Sequence, residues 1–175
     1  TLAARPTALV AGLVLVDQTD ERCALFVSPA AIRQFTWTAR LLPAIGRTGL
    51  LRLAARRQAT HVAEPWASWM RTHDGGRDAI AAQVAEGRSV VSELQRLMAD
   101  TPALPDVPVV VVSGAVIGWG EKQRRPALIE AHRQTALAAP QGRHVQAMAS
   151  SHLVPLTEPD VVAEAVRSIT GRQST

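Results

Sequence analysis

The sequence lacks what several common functions require. Its 175 residues include a single cysteine, Cys23, so an internal disulfide is impossible and a cysteine-rich zinc site is excluded. Aromatic residues make up 3%, too few to expect a base-stacking platform for single-stranded nucleic acid. No run of about 18 uninterrupted apolar residues occurs, which argues against a transmembrane helix and a membrane partner. No charged leader with an apolar core and a small-residue cleavage site opens the chain, so no signal peptide is expected and the reading is cytoplasmic. Repeats and low-complexity tracts are missing as well. Charged residues account for only 19% and hydrophobic residues for 47%, a composition of folded rather than disordered chains.

What is present begins with the charge. Nineteen basic and 15 acidic residues leave a net +4. Lys122 is the only lysine, and the arginines are spread along the chain. The densest basic pairs are Arg56-Arg57 and Arg124-Arg125. Such pairs on helix surfaces are commonly solvated, so nucleic acid is not expected as a partner.

Thr1 to Ala8 reads as the end of a helix stopped at Pro6. Val10-Ala-Gly-Leu-Val-Leu-Val16 is short, β-branched and apolar on both faces, as a central parallel strand is. Asp17 follows at its carboxyl end. From Glu21 to Ala103 no strand is convincing. Leu41 to Ala54 and Ala79 to Met98 follow a helical period, with Ile80, Val84, Val91, Leu94, Leu97 and Met98 as expected buried positions. Pro29, Pro43, Pro65 and Asp74-Gly75-Gly76 are expected to divide this stretch into short helices. Val109 to Val112, opened by Pro108 and closed by Gly114, is the clearest strand. A helix from Pro126 to about Ala139, a strand from Gly142 to Met148 and an amphipathic helix through Val161, Ala165 and Ile169 complete the chain. Thr157-Glu-Pro-Asp160 reads as a capping signature for that last helix. Strands alternating with helices predict an α/β fold with a parallel sheet, whose sites lie at the carboxyl ends of the strands.

Three stretches resemble the C-terminal half of the α/β-hydrolase fold: Val10 to Asp17, Asp106 to Gly114, and Ser151-His152-Leu-Val-Pro-Leu-Thr-Glu-Pro-Asp160 with Val161 to Val166. The first two look like the family's sixth and seventh strands. The third is similar to its histidine loop and last helix. The resemblance implies parallel strands with flanking helices and a helical cap insertion. The corresponding divisions are 1–19 for the sixth-strand part of the core, 20–103 for the cap, and 104–175 for the rest of the core.

The family's nucleophile usually lies in Gly-x-Ser-x-Gly, and that pattern is absent here. Ser113 and Ser151 lack the flanking glycines. The resemblance therefore implies a chain that keeps cap, acid and base but whose nucleophile lies upstream of Thr1. It implies hydrolysis of an ester-type bond, with His152 as general base and no cofactor. For the carboxylate that orients the histidine, Asp17 is favoured, Glu121 is second and Asp20 third. Relatives that use an aspartate nucleophile to open epoxides or remove halides, and a non-catalytic binding module on the same fold, are the alternatives.

No metal site is expected, because His61, His73, His132 and His144 show no ligand spacing. Cys23 is read as a small buried hydrophobe. Trp37, Trp66, Trp69 and Phe35 could line a pocket for an apolar small-molecule substrate, although core packing is the commoner use. Trp119, after the seventh-strand motif, could form a wall of the same pocket.

Overall fold

Val109 to Val112 form the centre of a parallel three-stranded sheet in the computed structural model of this protein. The structure describes residues 10–101, 103–118 and 120–171. The helix end expected at Thr1 to Ala8 lies outside them, as does Trp119. Strands β1 (Leu13–Val16), β2 (Pro108–Gly114) and β3 (Gln141–Ala147) lie in that order, with Leu13 opposite Val109 and Val109 opposite Gly142.

The valine run makes sense once both sheet faces are covered. Val110 and Val112 pack with Ala147, Val154 and Ala165, joined by Val161, Val162 and Ile169 of the C-terminal helix. Val109 and Val111 pack on the opposite side with Ala136 and Ala139, joined by Leu13 and Leu15. A strand buried on both faces needs apolar residues at successive positions rather than at alternate ones. Each fully buried valine contributes about 1.5–3 kcal/mol relative to exposure, before chain entropy is charged against it. The two covering helices are α5 (Arg124–Ala138) and α7 (Pro159–Thr170). The fold is thus mixed α/β, with a parallel sheet flanked by helices.

The end of the chain differs from expectation at one turn. Thr157 does not cap α7; the cap position is Glu158, and Pro159 opens the helix. A four-residue helix, α6 (Val154–Thr157), precedes it. The Thr157 hydroxyl bonds instead to the Ser150 hydroxyl at 2.6 Å and to the Leu153 carbonyl at 3.0 Å.

The chain divides into two compact units. One contains the sheet and takes the chain up to Cys23 and again from Asp100; the other is Ala24–Ala99 and is helical. In the helical unit a 3-10 turn (Ala24–Val27) leads into α1 (Pro29–Arg47), followed by α2 (Leu50–Ala59), α3 (Trp66–His73) and α4 (Arg77–Ala99). Ser28 caps α1, its hydroxyl accepting the Ala31 N–H at 3.2 Å, and Pro29 fills a first-turn position. Pro43 does not divide the segment as expected but lies inside α1. It removes one backbone donor near the C-terminal end of a long helix, and the surrounding turns persist. Gly46 lies where α1 meets α4, and a Cβ there would come within 2.2 Å of Ile80 Cδ1, so the end of the Ile80 side chain would have to shift. Ile80 and Leu94 are buried as expected, whereas Met98 is exposed. Trp37, Trp66 and Trp69 are 60%, 56% and 51% exposed, so they are not core residues.

Candidate functional site

Asp17 is the first residue beyond β1. Its N–H donates to the Val112 carbonyl at 2.7 Å, extending the sheet ladder by one bond. Its backbone then turns sharply, with φ at 42°. A non-glycine residue in the left-handed region carries a cost of about 1–3 kcal/mol and persists only where its surroundings hold it. Those surroundings are specific. The side chain is buried, and Oδ1 accepts the Gly114 N–H at 2.9 Å. Arg125 Nη1 lies 2.8 Å from both carboxylate oxygens. His152 Nδ1 lies 2.9 Å from Oδ2. A buried carboxylate demands such compensation. Burial by itself would raise the Asp17 pKa; hydrogen bonds from His152, Arg125 and Gly114, with the Arg125 charge, outweigh it and hold the carboxyl below its ordinary value.

His152 reaches this carboxylate on a loop bound to the end of β2. Ala115 N–H donates to Ala147 and Val116 N–H to Ser150, both at 2.9 Å. A Cβ at Gly114 would lie 1.5 Å from the Ser151 carbonyl oxygen, so only glycine lets the loop come this close. Farther along, the Glu158 carboxylate accepts the Ala149 N–H at 2.9 Å, and Val154 is fully buried in the core. The imidazole itself is 70% exposed. Ionised Asp17 can only accept, so His152 Nδ1 carries the proton and Nε2 keeps its lone pair. The bond to Asp17 raises the His152 pKa, partial burial opposes this, and the Asp17 charge adds to the rise.

The other candidate acids lie elsewhere. Glu121 accepts from Arg124 Nη2 at 2.9 Å and stands 3.6 Å from Arg125 Nη2. Burial would raise its pKa, but its arginine neighbours and the Gly118 N–H hold it low. Asp20 accepts the Arg22 N–H at 2.9 Å and the Thr135 hydroxyl at 2.7 Å, and thereby fixes the turn after Asp17. The ring of His152 thus hydrogen-bonds to Asp17 and to neither alternative. Arg125 corrects an expectation: read as half of a solvated pair, it is 3% exposed and locked to Asp17. A signal was available, since Arg124 and Arg125 open α5, where the helix dipole disfavours cations.

A second constellation lies under the sheet and was missed altogether. Ser113 Oγ stands 2.7 Å from His132 Nδ1 and 2.7 Å from His144 Nε2. His132 Nε2 stands 2.7 Å from the Gln18 carbonyl. A carbonyl only accepts, so Nε2 of His132 donates to it. With one proton per ring, His132 Nδ1 accepts from the Ser113 hydroxyl, whose oxygen accepts in turn from His144 Nε2–H. Burial first, then the neighbouring His132 and Arg133, lower the His144 pKa. The sequence hint was a serine continuing a buried valine strand, which needs a polar partner.

The remaining candidates are outside these clusters. His73 Nδ1 lies 3.0 Å from the Trp69 carbonyl, and the two rings stack. Cys23 is buried. Among the described residues no three His, Cys, Asp or Glu side chains gather into a metal-binding group, and no helix is long and apolar enough to cross a membrane. Compared with protein-family models, curated proteins and solved structures, the chain matches none.

Proposed function

We propose that Asp17 and His152 form the acid–base half of a hydrolase site of the α/β-hydrolase kind, acting on an ester-type bond of a small-molecule substrate. The observation that carries this reading is the 2.9 Å bond from an exposed imidazole to a buried, arginine-bound carboxylate. It directs the basic Nε2 outward. In the proposed reaction a serine hydroxyl, contributed by residues beyond these 175, gives its proton to Nε2 as its oxygen adds to the ester carbonyl carbon. The tetrahedral adduct collapses, and His152 returns the proton to the departing alkoxide. Water then repeats the sequence on the acyl-enzyme, giving the free acid and restoring serine. Asp17 keeps the ring in the correct tautomer and stabilises the imidazolium formed during each transfer.

Ser113 is not a candidate nucleophile, because it is fully buried and committed to two histidines. The test is hydrolysis of a p-nitrophenyl ester by protein made from a reading frame that includes the codons upstream of Thr1. His152→Ala should lower kcat by about 10³-fold or more with the fold intact, and Asp17→Asn should lower it as far in protein that circular dichroism shows to be folded, since it leaves buried Arg125 without its nearest carboxylate. Turnover that survives Asp17→Asn but is lost in Glu121→Gln would overturn the acid assignment.

A further inference from the structure

The helical unit contains a groove of about 810 Å³ along α1, the start of α2 and α4. That is the size of a small-molecule pocket, about 300–1,000 Å³. Its lining divides by chemistry. Ile80, Val84 and Pro43 supply apolar surface, and Ile80 is buried. Arg47, Arg52 and Arg77 supply three guanidinium groups, and the lining contains no acidic side chain. The nearest acids in sequence, Asp74 and Asp78, are not part of it. Among the described residues none of these three arginines has an ion-pair partner.

Their positions are informative. Arg52 lies in the first turn of α2 and Arg77 is the first residue of α4. Both helix starts carry positive dipole ends, which favour anions and disfavour cations. Arg47, by contrast, is the last residue of α1, whose C-terminal dipole end favours a cation, and Asp78 lies in the first turn of α4, so the excess positive charge of the groove rests on the three guanidinium groups, and a bound anion would relieve it.

We propose that this groove binds an anionic amphiphile, an alkyl or aryl chain ending in a carboxylate or phosphate. The head would lie among Arg47, Arg52 and Arg77, and the chain would cover Ile80 and Val84. The assignment is independent of the hydrolase reading, because it concerns binding in the helical unit and requires no turnover.

Calorimetric titration of the whole chain with decanoate, decyl phosphate, decyltrimethylammonium and inorganic phosphate tests it, each amphiphile below its micellar concentration. At least one anionic amphiphile should bind tenfold or more tightly than both the cationic one and inorganic phosphate. Preference between decanoate and decyl phosphate identifies the head group. The triple variant Arg47→Gln/Arg52→Gln/Arg77→Gln should weaken that binding at least tenfold while circular dichroism is unchanged. Ala85→Glu, which adds a carboxylate to the lining, should do the same with all three arginines retained. Equal binding of cationic and anionic amphiphiles, no anionic binding, or anionic binding unaffected in both folded variants would overturn the proposal.

Discussion

Two histidine constellations lie at the same end of one sheet, and they differ in almost every respect that matters for chemistry. At the first, an exposed ring leans on a buried carboxylate that is itself neutralised by Arg125. At the second, His132 is fully buried, and its partners are a hydroxyl and a backbone carbonyl. The first leaves one ring nitrogen free to exchange protons with whatever approaches. The second uses both nitrogens of His132 to tie α5 and β2 to the turn that carries Asp17. Proton transfer therefore suits one cluster, and structural support suits the other. A histidine's role follows from what its second nitrogen can reach.

Breaking the first cluster at its buried end should have the largest effect. Arg125→Met leaves Asp17 as a buried carboxylate without its main counter-charge. We expect a loss of about 3–5 kcal/mol in stability, measured by urea unfolding. His132→Ala comes next: it takes from the Ser113 hydroxyl its acceptor and from the Gln18 carbonyl its donor and opens a cavity, for a loss of about 3 kcal/mol in the same assay. His152→Ala should change stability by no more than about 0.5 kcal/mol, because the ring is mostly solvated. If His132→Ala were as harmless as His152→Ala, the division between supporting and reactive histidines would fail.

The smallest effects concern pH, and their signs are opposite. His152 has a folded pKa raised above 6.5, so its stabilising contribution is complete below 6.5 and is lost as pH rises through the folded value. His144 has a folded pKa lowered below 6.5, so its contribution is complete above 6.5 and is lost as pH falls through its folded value. Unfolding curves of His152→Ala and His144→Gln, compared with wild type across this range, should diverge in opposite directions.

The sheet was legible in the sequence because a parallel strand covered on both faces leaves a direct signature, the valine run between Pro108 and Gly114. Helix existence in 24–99 was legible from periodicity, but Pro43 was misjudged because a proline near a helix end costs only local bonding. The encounter of Asp17 with His152, 135 positions apart, was legible only as an implication of resemblance. Nothing local encodes it. Arg125 and Ser113 left local hints that they are not ordinary surface groups, but the partners they meet were not legible for the same reason: these lie 19, 31 and 108 positions away. Polar residues that meet only after the sheet is covered leave no periodic trace. Thr157 was misassigned because its hydroxyl had a nearer competitor in Ser150.

The central claim is that buried Asp17 fixes the tautomer and basicity of exposed His152. Nitrogen-15 NMR titration of the imidazoles in the wild-type chain and in Asp17→Asn tests this without any substrate. The prediction is a His152 ring protonated at Nδ1, with a pKa above 6.5 that falls toward 6.5 in the variant. A His152 resonance with the same tautomer distribution and the same pKa in both proteins would contradict the account.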